Sequence, residues 1–380
     1  VNYAYLVTMV GTTLPTPLYP IYERRFGFTG LIITVIFATY AVGVIAALLL
    51  VGQRSDEVGR RPMLFAGLAF AAASSVIFLV AGALGPLLVA RFLSGISAGI
   101  FTGTATAALV DFAPEHAPAR GTLYATAVNN LGLGSGPLLA GLLAQLAPDP
   151  LRLPYAVHLG LLLPAAAAVL LMPEPVEAKD RRLRLRLERL SVPREMRAIF
   201  IRAATASFAA FAVMGLFTAV APAVLAELLK LPSHWLAGTV VFGLFFASML
   251  GQLALEFTPP STALPLGCAV MVAGSGLLAA GIAASSLLLF LLGVGIAGIG
   301  IGLCFRAGLA TVNSRSPAGQ RAEVASSFFL VCYVAISVPI VGIGVAAQSA
   351  GLRDAGIVFT GLVGVLALAV MASLARRSFA

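Results

Sequence analysis

Gly52-Gln53-Arg54-Ser55-Asp56-Glu57-Val58-Gly59-Arg60-Arg61-Pro62-Met63-Leu64 sets five charged side chains between two apolar runs. Each run has the roughly 20 residues that a helix needs to cross a bilayer. A loop this charged has no place in a soluble core and reads as a turn at a membrane surface. The composition agrees: 60% of the residues are hydrophobic and 10% charged, with mean hydropathy +1.01, where a soluble domain carries about a quarter charged residues. Twelve such runs follow one another, at roughly 3–22, 29–52, 62–83, 85–109, 121–146, 154–173, 198–224, 234–256, 263–284, 286–311, 322–348 and 354–375. They are numbered helices 1 to 12, and the expected fold is an all-α integral membrane protein. The first run leads straight into this pattern and is not read as a cleaved signal peptide.

The net charge of +9 raises the possibility of nucleic acid, and its placement argues against that partner. Arg60, Arg61, Arg120, the cluster from Lys179 to Arg202, Arg315, Arg321, Arg376 and Arg377 all fall on one side of the twelve spans. Arg24, Arg25, Arg152, Lys230 and Arg353 fall on the other. Excess Lys and Arg marks the cytoplasmic side, so both termini are expected inside a cell (inner) membrane. Cys268, Cys304 and Cys332 lie within apolar runs and read as small buried hydrophobes. His116, His158 and His234 sit near predicted helix ends, and no pair has metal-ligand spacing. No cofactor or metal is expected.

The chain repeats itself weakly at an offset of about 200. Gly52-Gln53 recurs as Gly251-Gln252, Leu151-Arg152 as Leu352-Arg353, Arg120 as Arg321, and Pro137 as Pro339. Parallel repeats related by an axis along the membrane normal leave this trace. The expected organisation is a six-helix bundle over 1–173, a cytoplasmic linker over 174–197 and a second bundle over 198–380. The linker's alternating Arg and Leu suit a chain lying along the inner interface, Leu toward lipid and Arg toward headgroups.

The quoted loop resembles the signature between helices 2 and 3 of the major facilitator superfamily, roughly G-x-L-A-D-R-x-G-R-R/K-x-x-L, with Arg54 where an apolar residue is usual. The resemblance implies a secondary transporter working by alternating access, and a gating role for Gly52, Asp56, Gly59, Arg60 and Arg61. Asp56 is then expected to face the start of helix 11, and Arg60 to pair with Asp111 at the end of helix 4, followed by Arg120. The corresponding loop of the second half, Glu256 to Ser261, has no basic residue, so the latch is expected on one side only.

In helix 4, Arg91 and Gly95 match the family's R-x-x-x-G motif, whose arginine the family associates with proton coupling. An arginine within a span is a functional candidate by default, set against snorkelling to the nearby interface. In helix 5, Gly132, Gly136, Pro137 and Gly141 resemble the exporter motif G-x-x-x-G-P-x-x-G-G, with Ala140 replacing one glycine. Glycines four apart permit close helix contact, and proline removes a backbone bond. Drug:proton antiport of the exporter branch is thereby implied.

Helices 1, 4, 7 and 10 line the central cavity in that family. Arg306 in helix 10 either attracts an anionic substrate group, pairs with an acid or reaches the headgroups. Tyr40, Asn129, Asn130, Gln252, Arg306 and Tyr333 are the substrate-binding candidates. None of the fifteen acids is mid-membrane, which leaves the proton carrier open among Glu23, Asp111 and Glu256. The expected partners are a small-molecule substrate, protons and the lipid bilayer, with the protein as a monomer. The rival readings are an importer or facilitator of sugars or small organic anions, and lipid translocation. No Gly-x-x-x-x-Gly-Lys-Ser/Thr loop is present for ATP, and an enzyme would need clustered His, Asp or Glu at membrane depth.

Overall fold

A computed structural model of the chain describes residues 1–51, 54–114, 116, 119–176 and 190–375, without the side chains of Ala119, Pro260 and Ala318. Gly52, Gln53 and the Arg/Leu stretch of the linker lie outside the described residues. Helices and turns make up the described chain, with no strand among the described residues.

Twelve helical spans are present among the described residues. Helix 1 is broken into Asn2–Thr13, the short turn Thr16–Leu18 and Tyr19–Phe26. Then follow helix 2 (Gly30–Val51), helix 3 (Arg60–Val80), helix 4 (Leu84–Asp111), helix 5 (Ala119–Leu146) and helix 6 (Leu153–Leu171). The second set is helix 7 (Arg197–Ala223), helix 8 (His234–Ala254), helix 9 (Pro260–Ala283) and helix 10 (Leu287–Arg315). Helix 11 starts as Arg321–Ala335 and resumes at Val338, and helix 12 ends at Ala375.

The breaks have local causes. Pro15, Pro17 and Pro20 remove three N–H donors from helix 1 within six residues. Pro339 cannot donate to the Ala335 carbonyl, and helix 11 opens there, with the Ser337 hydroxyl donating to the Tyr333 carbonyl at 2.8 Å. Helices 11 and 12 are separated by one residue, Gly351, at φ 83° and ψ 158°. Arg353 then donates to the Ala283 carbonyl at the end of helix 9, where a cation is favoured.

The helices form two compact units. The first contains Val1–Phe28, Thr39–Arg189 and His234–Phe242; the second contains Thr29–Ala38, Leu190–Ser233 and Gly243–Ala380. The start of helix 2 therefore belongs with the later helices, and the start of helix 8 with the earlier ones. Small residues set the packing within each unit. In the second, a Cβ on Gly274 would lie 2.5 Å from the Ala297 nitrogen, and one on Gly281 would lie 2.6 Å from the Phe290 nitrogen. Helices 9 and 10 thus meet backbone to backbone, the contact that small residues permit in lipid.

Candidate functional site

The charged loop folds into a network centred on Arg60, which is 7% exposed. Its Nε donates to Asp111 Oδ2 at 2.9 Å. Its Nη1 lies 2.5 Å from Asp56 Oδ1 and 2.5 Å from Ser55 Oγ. The expected Arg60–Asp111 pairing is present. A planar guanidinium, with donors fanned in fixed directions, suits three acceptors at once. Asp56 remains largely exposed, at 63% of its side chain. Arg120 is exposed at the start of helix 5 and joins no ion pair among the described residues.

A further member went unread in the sequence. Glu174, just beyond helix 6, accepts from the backbone nitrogens of Arg60 at 2.8 Å and Arg61 at 2.9 Å. Those N–H groups open helix 3 and have no partner inside it, so the carboxylate satisfies both and meets the positive helix end. Gly59 makes this possible in two ways. Its φ of 109° and ψ of 152° suit glycine alone, and a Cβ there would lie 2.8 Å from Glu174 Oε2. Arg54, at the position where an apolar residue was expected, pairs with Glu57 at 2.5 Å.

Arg91 is turned inward and is 1% exposed. Its Nη1 donates to the Thr12 carbonyl at 2.5 Å, and its guanidinium lies 4.7 Å from the centre of the Tyr40 ring. Both contacts favour a cation. Gly95 sets this geometry, because a Cβ on it would lie 2.1 Å from the Tyr40 carbonyl oxygen. Helices 2 and 4 therefore touch at Gly95, and the Tyr40 ring lies within reach of the arginine one turn earlier.

Helix 5 runs unbroken through Pro137. The proline leaves the Leu133 carbonyl without its usual donor, and the Thr13 hydroxyl of helix 1 supplies one at 2.7 Å. Gly132 and Gly136 bring helix 1 this close: a Cβ on Gly136 would lie 2.3 Å from the Val10 carbonyl, and one on Gly132 would lie 2.5 Å from Met9 Cβ. Gly141 touches the start of helix 8, where a Cβ would lie 2.3 Å from the His234 carbonyl. Asn130 is buried and donates to the Thr126 carbonyl of its own helix at 2.9 Å, while Asn129 is half-buried.

In the second unit, Arg306 donates to the Gln252 carbonyl at 2.6 Å and pairs with Glu256 at 3.4 Å. Of the alternatives open for Arg306, the pairing with an acid is present, and the loop from Glu256 to Ser261 itself has no basic residue. The base is on helix 10 rather than in the loop, and sequence spacing does not show which helices adjoin. Gln252 is buried and acts here through its backbone carbonyl.

Next to Arg306 lies an aromatic cluster from helices 7, 10 and 11. Phe305 is 5.2 Å from Phe211, 6.3 Å from Phe328 and 6.1 Å from Phe329, and Phe211 is 6.3 Å from Tyr333. Of the substrate-binding candidates, the structure brings Arg306 and Gln252 together and sets Tyr333 in the cluster beside them. It places Tyr40 with Arg91 in the other unit. A separate cavity of about 520 Å³ between helices 7, 11 and 12 is apolar except for Asp354 at one end, and none of these candidates lines it.

Two units of long apolar helices with polar and charged groups gathered inside them define a polytopic helical membrane protein. A profile of the Major Facilitator Superfamily matches residues 1–339, and the chain belongs to that superfamily. It is 27% identical over 146 residues to the quinolone resistance protein NorA of Staphylococcus aureus, a match that covers 38% of this chain and only 37% of that protein's length. A bacterial homologue of the human lysosomal transporter Spinster, solved inward-facing and occupied, superposes with TM-score 0.75 at 16% identity, over 99% of this chain and 95% of its own. A D-xylose–proton symporter does so with TM-score 0.73 at 14% identity, over 97% and 95%. At these identities the two structures show the fold alone.

Proposed function

We propose that the protein is a proton-coupled exporter of small, largely aromatic organic compounds, working by alternating access. The observation that carries this reading is the contact of helix 5 with helix 1. Gly132 and Gly136 lie flush on the neighbouring backbone, and Thr13 supplies the donor that Pro137 removes. That arrangement lets a proline-interrupted helix exist in hydrocarbon without an orphaned Leu133 carbonyl, and places the substitute donor on a neighbour that can slide. It gives a physical sense to the exporter-like motif of helix 5. The similarity to a quinolone resistance protein points the same way. The cluster around Phe305 offers flat aromatic faces, which suit a planar aromatic substrate, and Arg306 at its edge suits a substrate carrying an acidic group.

In this reading both termini face the cytoplasm of a cell membrane, the protein acts as a monomer, and the Arg60 network works as a latch. Uptake of a small anion is the second reading, and Arg306 beside the cluster is the observation that favours it. The test is reconstitution in liposomes containing the pH dye pyranine, with an imposed proton gradient and a panel of norfloxacin, sugars and organic anions. Proton movement opposite to norfloxacin supports export. Sugar or anion flux with no response to aromatic compounds overturns it.

A further inference from the structure

His158 of helix 6 is 1% exposed and belongs to the interior of the first unit. Its Nε2 is 3.0 Å from the Val7 carbonyl and its Nδ1 is 2.7 Å from Ser75 Oγ. A carbonyl oxygen only accepts, so Nε2 carries the hydrogen. Nδ1 of the neutral ring is then the acceptor, and the Ser75 hydroxyl donates to it. The ring lies against Gly11, where a Cβ would come within 2.3 Å of His158 Cε1.

Around it lies a small polar chamber lined by Thr8, Thr12, Ser74, Ser94 and Ser97, besides Ser75. Its volume of about 10 Å³ is near the least that holds one water. Four of these hydroxyls already donate to backbone carbonyls: Thr8 to Ala4, Thr12 to Met9, Ser74 to Ala90 and Ser97 to Gly67. Their hydrogens are committed, and the lone pairs left to them make the chamber rich in acceptors. A chamber of that kind suits a group that gains a hydrogen.

We propose that His158 is the proton-binding site that drives transport, the proton adding at Nδ1 while Ser75 turns from donor to acceptor. This rests on the proton-coupled reading above. The Ser75 hydroxyl then has the Ala71 carbonyl, one turn back on helix 3, as its own acceptor. The titratable and charged groups on the packed elements are Tyr3, Tyr5, Tyr19, Tyr22, Glu23, Arg24 and Arg25 on helix 1, Arg91 and Asp111 on helix 4, Arg120 and Tyr124 on helix 5, and Tyr155 on helix 6 itself; helix 3 carries none beyond Arg60 and Arg61 at its start. Arg91 is bound to the Thr12 carbonyl, and Thr12 lines the chamber. A proton on His158 therefore places a second positive charge against the same turn of helix 1. That repulsion acts on the segment whose Val10 and Thr13 touch helix 5, and so connects proton binding to the moving contact.

The test uses the full chain in the pyranine liposomes with norfloxacin. His158→Gln retains an amide donor for Val7 and an amide acceptor for Ser75 but cannot titrate. It is expected to fold, to exchange norfloxacin down its gradient, and to lose proton-driven accumulation. Ser75→Ala removes the acceptor of the charged form, and should move the midpoint of the pH–transport curve about one unit toward acid, the scale of one hydrogen bond to a charged group. A merely structural histidine would leave that midpoint in place. If His158→Gln does not fold, the Ser75→Ala midpoint decides. Wild-type protein that moves no protons with any compound overturns the coupled reading and the site together. Wild-type coupling that His158→Gln retains in full, or an unmoved midpoint in Ser75→Ala, overturns the site alone.

Discussion

Arg60 and Arg306 are both arginines fastened to an acid near the end of a helix, one in each unit, yet the two arrangements are built differently. Arg60 lies buried, with Asp111, Asp56 and Ser55 around its side chain and Glu174 on its backbone. Arg306 has one backbone carbonyl and one acid at 3.4 Å, and that acid, Glu256, is 42% exposed. The positions of base and acid are also exchanged: the first unit has its base at the start of helix 3, and the second has its acid after helix 8. A crowded network around a buried arginine resists being opened, whereas a long pair with an exposed acid yields. The first unit thus has a buried arginine held on several sides, and the second has an arginine held by a single partly exposed acid and a backbone carbonyl.

The sharpest way to break this contrast is Arg60→Ala, which removes the charge-assisted bonds to Asp111, Asp56 and Ser55 and should cost about 2–3 kcal/mol. Thermal unfolding in detergent would show it, and a loss as small as that of a surface pair would sink the distinction. Gly59→Ala comes next, at about 1–3 kcal/mol for an alanine forced into a glycine-only conformation. The same melting curves should show Glu174→Gln removing part of that loss, because the displaced carboxylate is the second cost. Asp56→Asn separates holding from folding: with its side chain mostly in water, melting should barely change while norfloxacin transport falls. Unchanged turnover would leave Asp56 without a gating role. Glu256→Gln should have the smallest effect on stability, at most about 1 kcal/mol. A larger one would make the second pair a true counterpart of the first.

The twelve spans were legible because length and apolarity are set by the bilayer itself, and the loop and helix 5 patterns because glycine, proline and charge act locally. Arg60 with Asp111 could be read for the same reason. Glu174 could not, since a carboxylate in a proline-rich linker looks like any other solvated acid. His158 was read as lying near a helix end, and depth along a helix says nothing about the face it lies on. Arg306 was left between substrate, acid and headgroup because its partner is 50 residues away on a helix that only the fold brings near. The break in helix 1 follows from its three prolines, which an apolar run conceals.

Thr13 and Pro137 have a consequence for how this sequence can change. Replacing Thr13 with valine alone strands the Leu133 carbonyl in hydrocarbon. Replacing Pro137 with alanine returns the missing N–H and makes the Thr13 hydroxyl dispensable. A lineage can therefore lose the proline first and the threonine afterwards, but not in the reverse order without passing through a weakened protein. Among descendants of this chain, the two positions should drift as a linked pair with a preferred order.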